Sequence, residues 1–553
     1  MIIRSTTIIC IRTDRFHEQV NAINKMLKSI KIENLRSLKD TDYIELKPLN
    51  ILLGANSSGK STFLRSFPLL TQSVRKELRG PISWFDDSLV DFGDYNTAFN
   101  KYASADDRIK FSFRIESPYS NRRFYHSFPG DYIPPDIIRK LGVISFTMSL
   151  ANDQKGTYID ELIIEDDYNK FSIHVNSRGD FLSFKFNGRD IETNDKWIWD
   201  FYTSSFFLPR MIPQKVSGNN MGGRFSYKQR ERVYSIIRQY CSPRFKNNAT
   251  LAGVISHWSP KDSVFLQYLQ NQTLLKMLRK NVQAWTTEDD KFKEVFANIS
   301  ILFYTQILYT VDEEISNFFL RTSYIAPMRA EGSRYYRSQG LQVNDIDPYG
   351  KNLEEFIMSL SPKQRADYNS YVKRILNVKI SVKSTANYNS LELESDGGSF
   401  NLTDVGFGYS QIIPIITKLW FSDYQKRRGE RMFSRGRLRI YDTDLLTAIE
   451  QPELHLHPAY QAKIADVFMS LLNNISEQDD YYKLIVETHS PTIINRIGRR
   501  IREGKFKKED VNIILFQKDS DNKNTIVRQT SYNDKGQIMN WPYGFFDPGD
   551  DNF

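Results

Sequence analysis

The stretch Gly54-Ala55-Asn56-Ser57-Ser58-Gly59-Lys60-Ser61 constrains this chain more than any other. It fits the pattern G-x-x-x-x-G-K-[ST] at every position. A short apolar run before it, Ile51 to Leu53, reads as a buried strand. After it Phe63, Leu64, Phe67, Leu69 and Leu70 recur at helical spacing until Pro68 perturbs the pattern. A phosphate site needs this order of strand, glycine loop and helix. Glycines let the backbone curl so that its N–H groups face phosphate oxygens, and the following helix N-terminus adds partial positive charge. Lys60 would then reach the β- and γ-phosphates, and the Ser61 hydroxyl would ligate Mg²⁺. The plainer explanation is a glycine turn that happens to precede a lysine. It leaves the flanking strand and helix as further coincidences.

At 553 residues the chain is too long for one core, and two to four domains are expected. Only two cysteines, Cys10 and Cys241, are present, which rules out a disulfide scaffold and fits a reducing cytoplasm. No apolar run approaches the ~20 residues of a membrane span. Met1 to Arg15 is interrupted by Arg4, Arg12, Asp14 and Arg15 and makes a poor signal peptide. The net charge of +9 points to an acidic partner, of which nucleic acid is the commonest.

Residues 1–25 read as an N-terminal extension, either an upstream start or a short extra element, before a fresh strand-like start at Met26. Residues 26–205 read as a lobe holding the loop and a β subdomain. Ile109-Lys-Phe-Ser-Phe-Arg-Ile, Thr157-Tyr-Ile-Asp-Glu-Leu-Ile-Ile, Phe171-Ser-Ile-His-Val and Phe181-Leu-Ser-Phe-Lys-Phe alternate with period two between Asn, Asp and Gly turns. Residues 206–320 read as a helical insertion, basic over 210–280. Arg210, Lys215, Arg224, Lys228, Arg230, Arg232, Arg238, Arg244, Lys246, Lys261, Lys276, Arg279 and Lys280 face only Glu231 and Asp262 there. Tyr227, Tyr234, Tyr240, Phe245 and Trp258 are interleaved. Such a stretch could neutralise phosphates while aromatics stack on bases, or it could be a solvated face or a dock for an acidic protein. No long heptad array accompanies it. Residues 321–553 return to mixed α/β text.

In that last region Leu445-Leu-Thr-Ala-Ile-Glu450-Gln451-Pro452-Glu453 is an apolar strand ending in acidic residues. A Walker B strand, which delivers a carboxylate to Mg²⁺, looks like this. A zinc reading of Glu453, His455 and His457 fails because alternate side chains on an extended segment diverge and no fourth ligand follows. Leu484-Ile-Val-Glu487-Thr-His489-Ser490-Pro491 is a second buried strand. Its histidine sits at the C-terminal end, where ligands gather in open α/β sheets. Before both lies Asn401-Leu-Thr-Asp404-Val-Gly406-Phe407-Gly408-Tyr409-Ser410-Gln411, a glycine-rich turn opening a helix.

P-loop, glycine-rich signature, Walker B strand and switch histidine, in this order, resemble the ATP-binding-cassette ATPases, nearest to the SMC, Rad50 and OLD-like branch without membrane spans. Four phrases narrow the resemblance to prokaryotic antiphage-defence ATPases of the Septu PtuA kind, including those encoded beside retrons. They are Tyr324-Ile-Ala-Pro-Met-Arg329-Ala, Asp404 to Pro414, Ile449-Glu-Gln-Pro-Glu-Leu-His-Leu-His-Pro, and Asn540-Trp-Pro-Tyr-Gly-Phe-Phe-Asp547. The resemblance covers about 26–105 and 321–547. It implies an α/β fold, an ABC-type P-loop ATPase head, to which the residues add the antiparallel β subdomain and the basic helical insertion. It also implies two copies meeting head to tail over ATP and Mg²⁺, as a homodimer or higher homo-oligomer.

Mapped by that resemblance, Asn56, Ser57, Gly59, Lys60, Ser61 and Thr62 hold phosphates, while Ser61 and Glu450 serve Mg²⁺. Asn34 and Arg36 stand where the family contacts nucleotide. Gly406, Phe407, Gly408 and Ser410 cap the partner's γ-phosphate, and His489 is the switch. Gln72 comes too early for a Q-loop. Implied partners are an HNH nuclease of the PtuB kind and, in a retron, a reverse transcriptase with its RNA-linked DNA (msDNA). Two departures stand out. Gln451 occupies the usual catalytic glutamate position, and an amide cannot take the attacking water's proton; Gly406 replaces the signature serine. The expectation is slow hydrolysis and a long-lived ATP-bound dimer, unless Glu453 acts as base. An OLD-type nuclease would need an acidic domain after His489, where Asp547, Asp550 and Asp551 look like a solvated tail. A Rad50-type DNA-tethering machine lacks its coiled-coil arms here, and a transporter subunit would not carry the basic insertion. The tract Lys426, Arg427, Arg428, Arg431, Arg435, Arg437 and Arg439 is a second nucleic-acid contact or a surface loop.

Overall fold

The computed structural model describes residues 27–76, 78, 80–116, 141–191, 197–200, 208, 210–213, 225–327, 329, 332–337, 342–385, 388–428, 433–434, 437–438, 444–473 and 482–540. Outside them lie the 1–25 extension, Lys215, Arg224, Arg431, Arg435, Arg439 and the terminal phrase beyond Asn540, with its aspartates.

Strands covered on both faces read as unbroken apolar runs, and three such runs meet in the central sheet. Thr322–Ile325, Leu446–Glu450, Lys483–Glu487, Leu49–Gly54 and Val511–Lys518 lie parallel in that order, with Thr525–Thr530 antiparallel at the edge. Alternate residues of the P-loop strand feed different cores: Leu52 joins one, while Leu49, Ile51 and Leu53 join the other. The C-terminal ends of three strands therefore bring Gly54, Glu450 and Glu487 out at one edge.

On the first face sits the helix Lys60–Arg75. It runs on through Pro68, which perturbs the apolar spacing without ending the helix, because Phe67, Leu69, Leu70 and Val74 are buried on either side of the proline and hold it down. The segments of period-two alternation are strands of an antiparallel sheet. Arg189–Asp190, Phe181–Phe186, Lys170–Val175, Gly156–Glu165, Val143–Asp153, Ile109–Glu116, Leu27–Leu35 and Leu38–Asp40 follow one another across it. Between sheet and P-loop helix runs Asp290–Leu320, whose Phe319 ring stands 6.2 Å from Phe67 and 5.9 Å from Phe113. Further along, Phe296 meets Phe186 at 5.8 Å. This helix is long and apolar enough to cross a membrane by length and composition, and 83% of its most apolar window is buried inside the protein.

Helices Phe225–Arg238, Asn248–Ile255, Asp262–Asn271 and Lys276–Val282 share this same core. Of the aromatics expected to stack on bases, Trp258 and Tyr234 are in it, and Tyr240 and Phe245 pack half-buried against it. Trp258 is fully buried, lies 4.6 Å from the Phe303 ring and donates Nε1–H to Ser300 Oγ at 3.0 Å. Tyr234 is buried, and Tyr240 packs edge-on to Trp285 at 4.8 Å. For Trp258 and Tyr234 the stacking reading is corrected, because apolar burial claims these rings, while Arg244, Lys246, Lys261, Lys276 and Lys280 remain exposed.

The second face carries helices Pro362–Leu376, Phe407–Arg428, Pro458–Asn473 and Pro491–Arg502, with Trp420 and Tyr368 at its centre. A small antiparallel sheet of Lys379–Thr385, Tyr388–Ser395 and Gly398–Asn401 leads into the glycine-rich turn. From the second basic tract, Lys426 lies 3.3 Å over the Tyr482 ring and Arg427 pairs with Asp367 and Asp423, so these two cations serve packing.

Candidate nucleotide site

The loop between Gly54 and Lys60 is built so that only glycine fits its two ends. A Cβ on Gly54 would stand 2.3 Å from the Phe516 carbonyl oxygen. Gly59 has φ 102°, and a Cβ there would meet Leu38 and Thr525 at 2.9 Å. Ala55, Asn56 and Ser57 are exposed, whereas Lys60 is buried. Lys60 Nζ donates to the carbonyls of Gly54 (3.0 Å) and Ala55 (2.7 Å) and lies 4.0 Å from Glu487 Oε1. Burial lowers the Lys60 ammonium below its ordinary value.

Two carboxylates flank the loop. Glu450 accepts from Arg65 through Nε (2.9 Å) and Nη2 (2.7 Å), and from the Tyr324 hydroxyl at 2.8 Å. Burial opposes the Arg65 charge, but Glu450 outweighs it and raises the guanidinium. Glu487 accepts the Ser61 hydroxyl at 2.9 Å. Burial, with the Glu450 charge beside it, pushes the Glu487 carboxyl up to about 7 against the pull of Ser61, Lys60 and Arg65. Behind them Arg329 is buried and donates to the Glu450 carbonyl at 3.1 Å; burial lowers its guanidinium to about 10.

Gln451 has φ 44°, and its N–H donates to the Glu487 carbonyl at 2.9 Å. Glu453 accepts the Thr488 hydroxyl at 2.8 Å and the His489 N–H at 2.6 Å, which ties the turn after the Walker B strand to the switch turn. Burial raises the Glu453 carboxyl. Burial lowers the His489 imidazole, and the Lys60 charge adds to that.

Among the described residues, Ser58 Oγ, Glu487 Oε2 and His489 Nε2 around the loop are buried without a hydrogen-bond partner, as are Nε and Nη1 of Arg329 behind them. A donor hydroxyl, a carboxylate oxygen and an imidazole nitrogen beside a lysine and an array of loop N–H groups suit a Mg²⁺-bound triphosphate.

The structure brings Asn56, Ser57, Gly59, Lys60, Ser61, Thr62, Glu450, Gln451, Glu453 and His489 to one edge of the sheet. Other expected residues have bonds of their own, although Ser37 and Leu38, which follow Asn34 and Arg36, stand against Gly59. Asn34 donates its amide to the Arg108 carbonyl at 3.0 Å, which fixes its own turn. Arg36 lies 4.3 Å over the Phe92 ring; burial and the Arg65 charge lower its guanidinium. Gln72 bonds the Val90 backbone inside the core. At the signature turn Gly406 (φ 90°) and Phe407 are exposed, while Ser410 is buried and donates inward to the Phe407 carbonyl at 2.6 Å. No hydrogen bond joins residues 406–410 to 54–62 among the described residues. His455 stacks edge-on against Phe407 at 4.8 Å, and His457 Nδ1 accepts the Ala459 N–H. The sequence reading missed Arg65, Tyr324 and Arg329 as site residues, and above all Glu487.

Sheet order, loop and signature helix define an ABC-type P-loop ATPase fold. The chain belongs to the AAA ATPase domain family, which residues 26–494 match. It is similar in structure to the Smc head with an extended coiled coil, bound to the C-terminal domain of ScpA, from Pyrococcus furiosus. That match has 9% identity and TM-score 0.34, covering 91% of this chain and 96% of that one. The SMC head domain from Thermotoga maritima is also similar (8% identity, TM-score 0.29, covering 91% of this chain and 98% of that one). No curated protein matches the chain.

Proposed function

We propose that this chain is a slowly hydrolysing regulatory ATPase in which ATP, held with Mg²⁺ at Gly54–Thr62, closes one copy on the signature turn of another. The observation that supports this best is the exposed Gly406–Phe407 turn, which among the described residues makes no hydrogen bond to its own P-loop. Mg²⁺ when bound supplies charge neutralisation at the β- and γ-phosphates. The chain's own residues do the rest. Loop N–H groups and Lys60 bind the phosphates, Ser61 presents its hydroxyl toward the metal, and His489 offers Nε2 at the switch position.

Slow turnover follows from the two candidate bases. The Gln451 amide cannot accept a proton, and Glu453 is held by Thr488 and His489 inside the switch turn. A long-lived bound state suits regulation better than work. The phrases Tyr324–Ala330, Asp404–Pro414, Ile449–Pro458 and Asn540–Asp547 support a place in antiphage defence of the Septu or retron type, in the cytoplasm. There it would control a partner HNH nuclease, with a reverse transcriptase and msDNA as further partners in a retron. The exposed lysines and arginines of 244–280 support a nucleic-acid contact through charge alone.

Capture of the tagged chain from its native host with ATP and Mg²⁺, followed by identification of bound protein and nucleic acid, tests this. Recovery of a small nuclease is the expected result. Recovery of the chain alone on genomic DNA ends would replace it with a Rad50-like tethering role.

A further inference from the structure

Two carboxylates end neighbouring parallel strands at the site, and Glu450 and Glu487 stand opposite each other in register. Both side chains are almost fully buried, 3% and 2% exposed. Their partners differ. On Glu450 every hydrogen bond comes from a fixed group: Oε2 accepts from Arg65 Nε and Tyr324, and Oε1 from Arg65 Nη2. Glu487 accepts through Oε1 from Ser61, and its buried Oε2 has no partner. The strand of Glu487 also pairs directly with the P-loop strand, whereas the strand of Glu450 is one further away.

A divalent cation needs a free lone pair on a carboxylate oxygen and no other cation beside it. Mg²⁺ takes only one or two carboxylates besides water and phosphate. On Glu450 three of the four lone-pair sites are taken, and a cation at the fourth, on Oε1, would sit beside the Arg65 guanidinium; on Glu487 only the Ser61 hydroxyl takes one. Two adjacent buried carboxylates also repel each other unless each has its own cation. Arg65 is the cation of Glu450. Lys60, at 4.0 Å and turned to the loop carbonyls, is a weak one for Glu487.

We propose that Glu487, beside Ser61, is the carboxylate this chain turns toward the Mg²⁺ of bound nucleotide. Glu450 is instead the anchor that fixes Arg65, and through it the P-loop helix, to the central sheet. This reassigns the metal-facing role expected of Glu450 from the strand pattern, and it rests on the nucleotide reading above.

The test is the affinity of a fluorescent ATP analogue for the full chain, measured with Mg²⁺ and again with EDTA, for wild type, Glu487→Gln, Glu487→Asp and Glu450→Gln. Folding is checked by circular dichroism. Wild type is expected to bind at least about tenfold more tightly with Mg²⁺. In Glu487→Gln the ratio of the two affinities falls to within about threefold; Glu487→Asp, which keeps the charge, is intermediate. In Glu450→Gln the Mg²⁺ advantage persists and the melting temperature falls. If Glu487→Gln keeps the wild-type advantage and Glu450→Gln loses it, the inference fails and the nucleotide reading stands. If wild type binds no nucleotide in either buffer, both fall together. Should Glu487→Gln not fold, Glu487→Asp with an undiminished Mg²⁺ advantage refutes the inference alone.

Discussion

Removing Arg65 should expose how strongly the Glu450 anchor holds the molecule together. In Arg65→Ala the Glu450 carboxylate, 3% exposed, keeps only the Tyr324 hydroxyl as donor. Breaking one side of a buried ion pair costs about 3–5 kcal/mol, because the remaining charge is left without compensation. Arg65 is itself 34% exposed, so solvent already screens part of the attraction and the lower end applies, about 3 kcal/mol. Neutralising the stranded anion should recover much of that loss. The double variant Arg65→Ala/Glu450→Gln is therefore expected to be more stable than the sum of the single variants by about 2 kcal/mol. Urea unfolding followed by tryptophan fluorescence measures this, since Trp258 and Trp420 are buried in the two different cores. Additivity of the two substitutions within ~0.5 kcal/mol would refute the anchoring argument.

Three further outcomes are expected. Gln451→Glu restores a carboxylate where the family pattern has one, and steady-state turnover should rise by about 10² or more; an unchanged rate would mean another group already serves as base. Glu487, raised from 4.5 to about 7, holds a proton in the folded chain that the unfolded chain releases, so stability falls as pH rises between those values. The loss from this group is up to ~3 kcal/mol without divalent cation, and the stability-versus-pH curve should lose that component in Glu487→Gln when melting is compared across pH 4.5 to 8. Gly59→Ala, at φ 102° with its Cβ 2.9 Å from Leu38 and Thr525, should abolish nucleotide binding in equilibrium titration.

Much of this site is legible in sequence because its parts are local. Strand, glycine loop and lysine lie within one short stretch, and the Walker B strand ends on its own carboxylate. Glu487 escaped for the opposite reason. Before Thr488 and His489 it looks like an ordinary strand end, and only the parallel pairing of Lys483–Glu487 with Leu49–Gly54 sets it beside Ser61. Arg65 on the first helix likewise gives no sign that it reaches Glu450. The strand Val143–Asp153 was missed although its period-two signal is plain, with Ile144, Phe146, Met148 and Leu150 buried and alternating with Ser145, Thr147 and Ser149. In the basic stretch, charge and aromatic content were read over whole windows. The helix Phe225–Arg238 instead separates them by face, burying Val233, Tyr234, Ile236 and Ile237. The helix Asp290–Leu320 is buried nearly all round, so no polar face marked it as the spine of the first core.

The central claim is that nucleotide at the P-loop of one copy draws in the signature turn of another. Sedimentation velocity of the full chain, with ATP and Mg²⁺ or with EDTA, tests it most directly, using Lys60→Ala as the control. The account predicts a faster-sedimenting dimer or larger assembly with ATP and Mg²⁺, and no such shift in Lys60→Ala. An unchanged sedimentation coefficient under conditions where ATP is bound would contradict it.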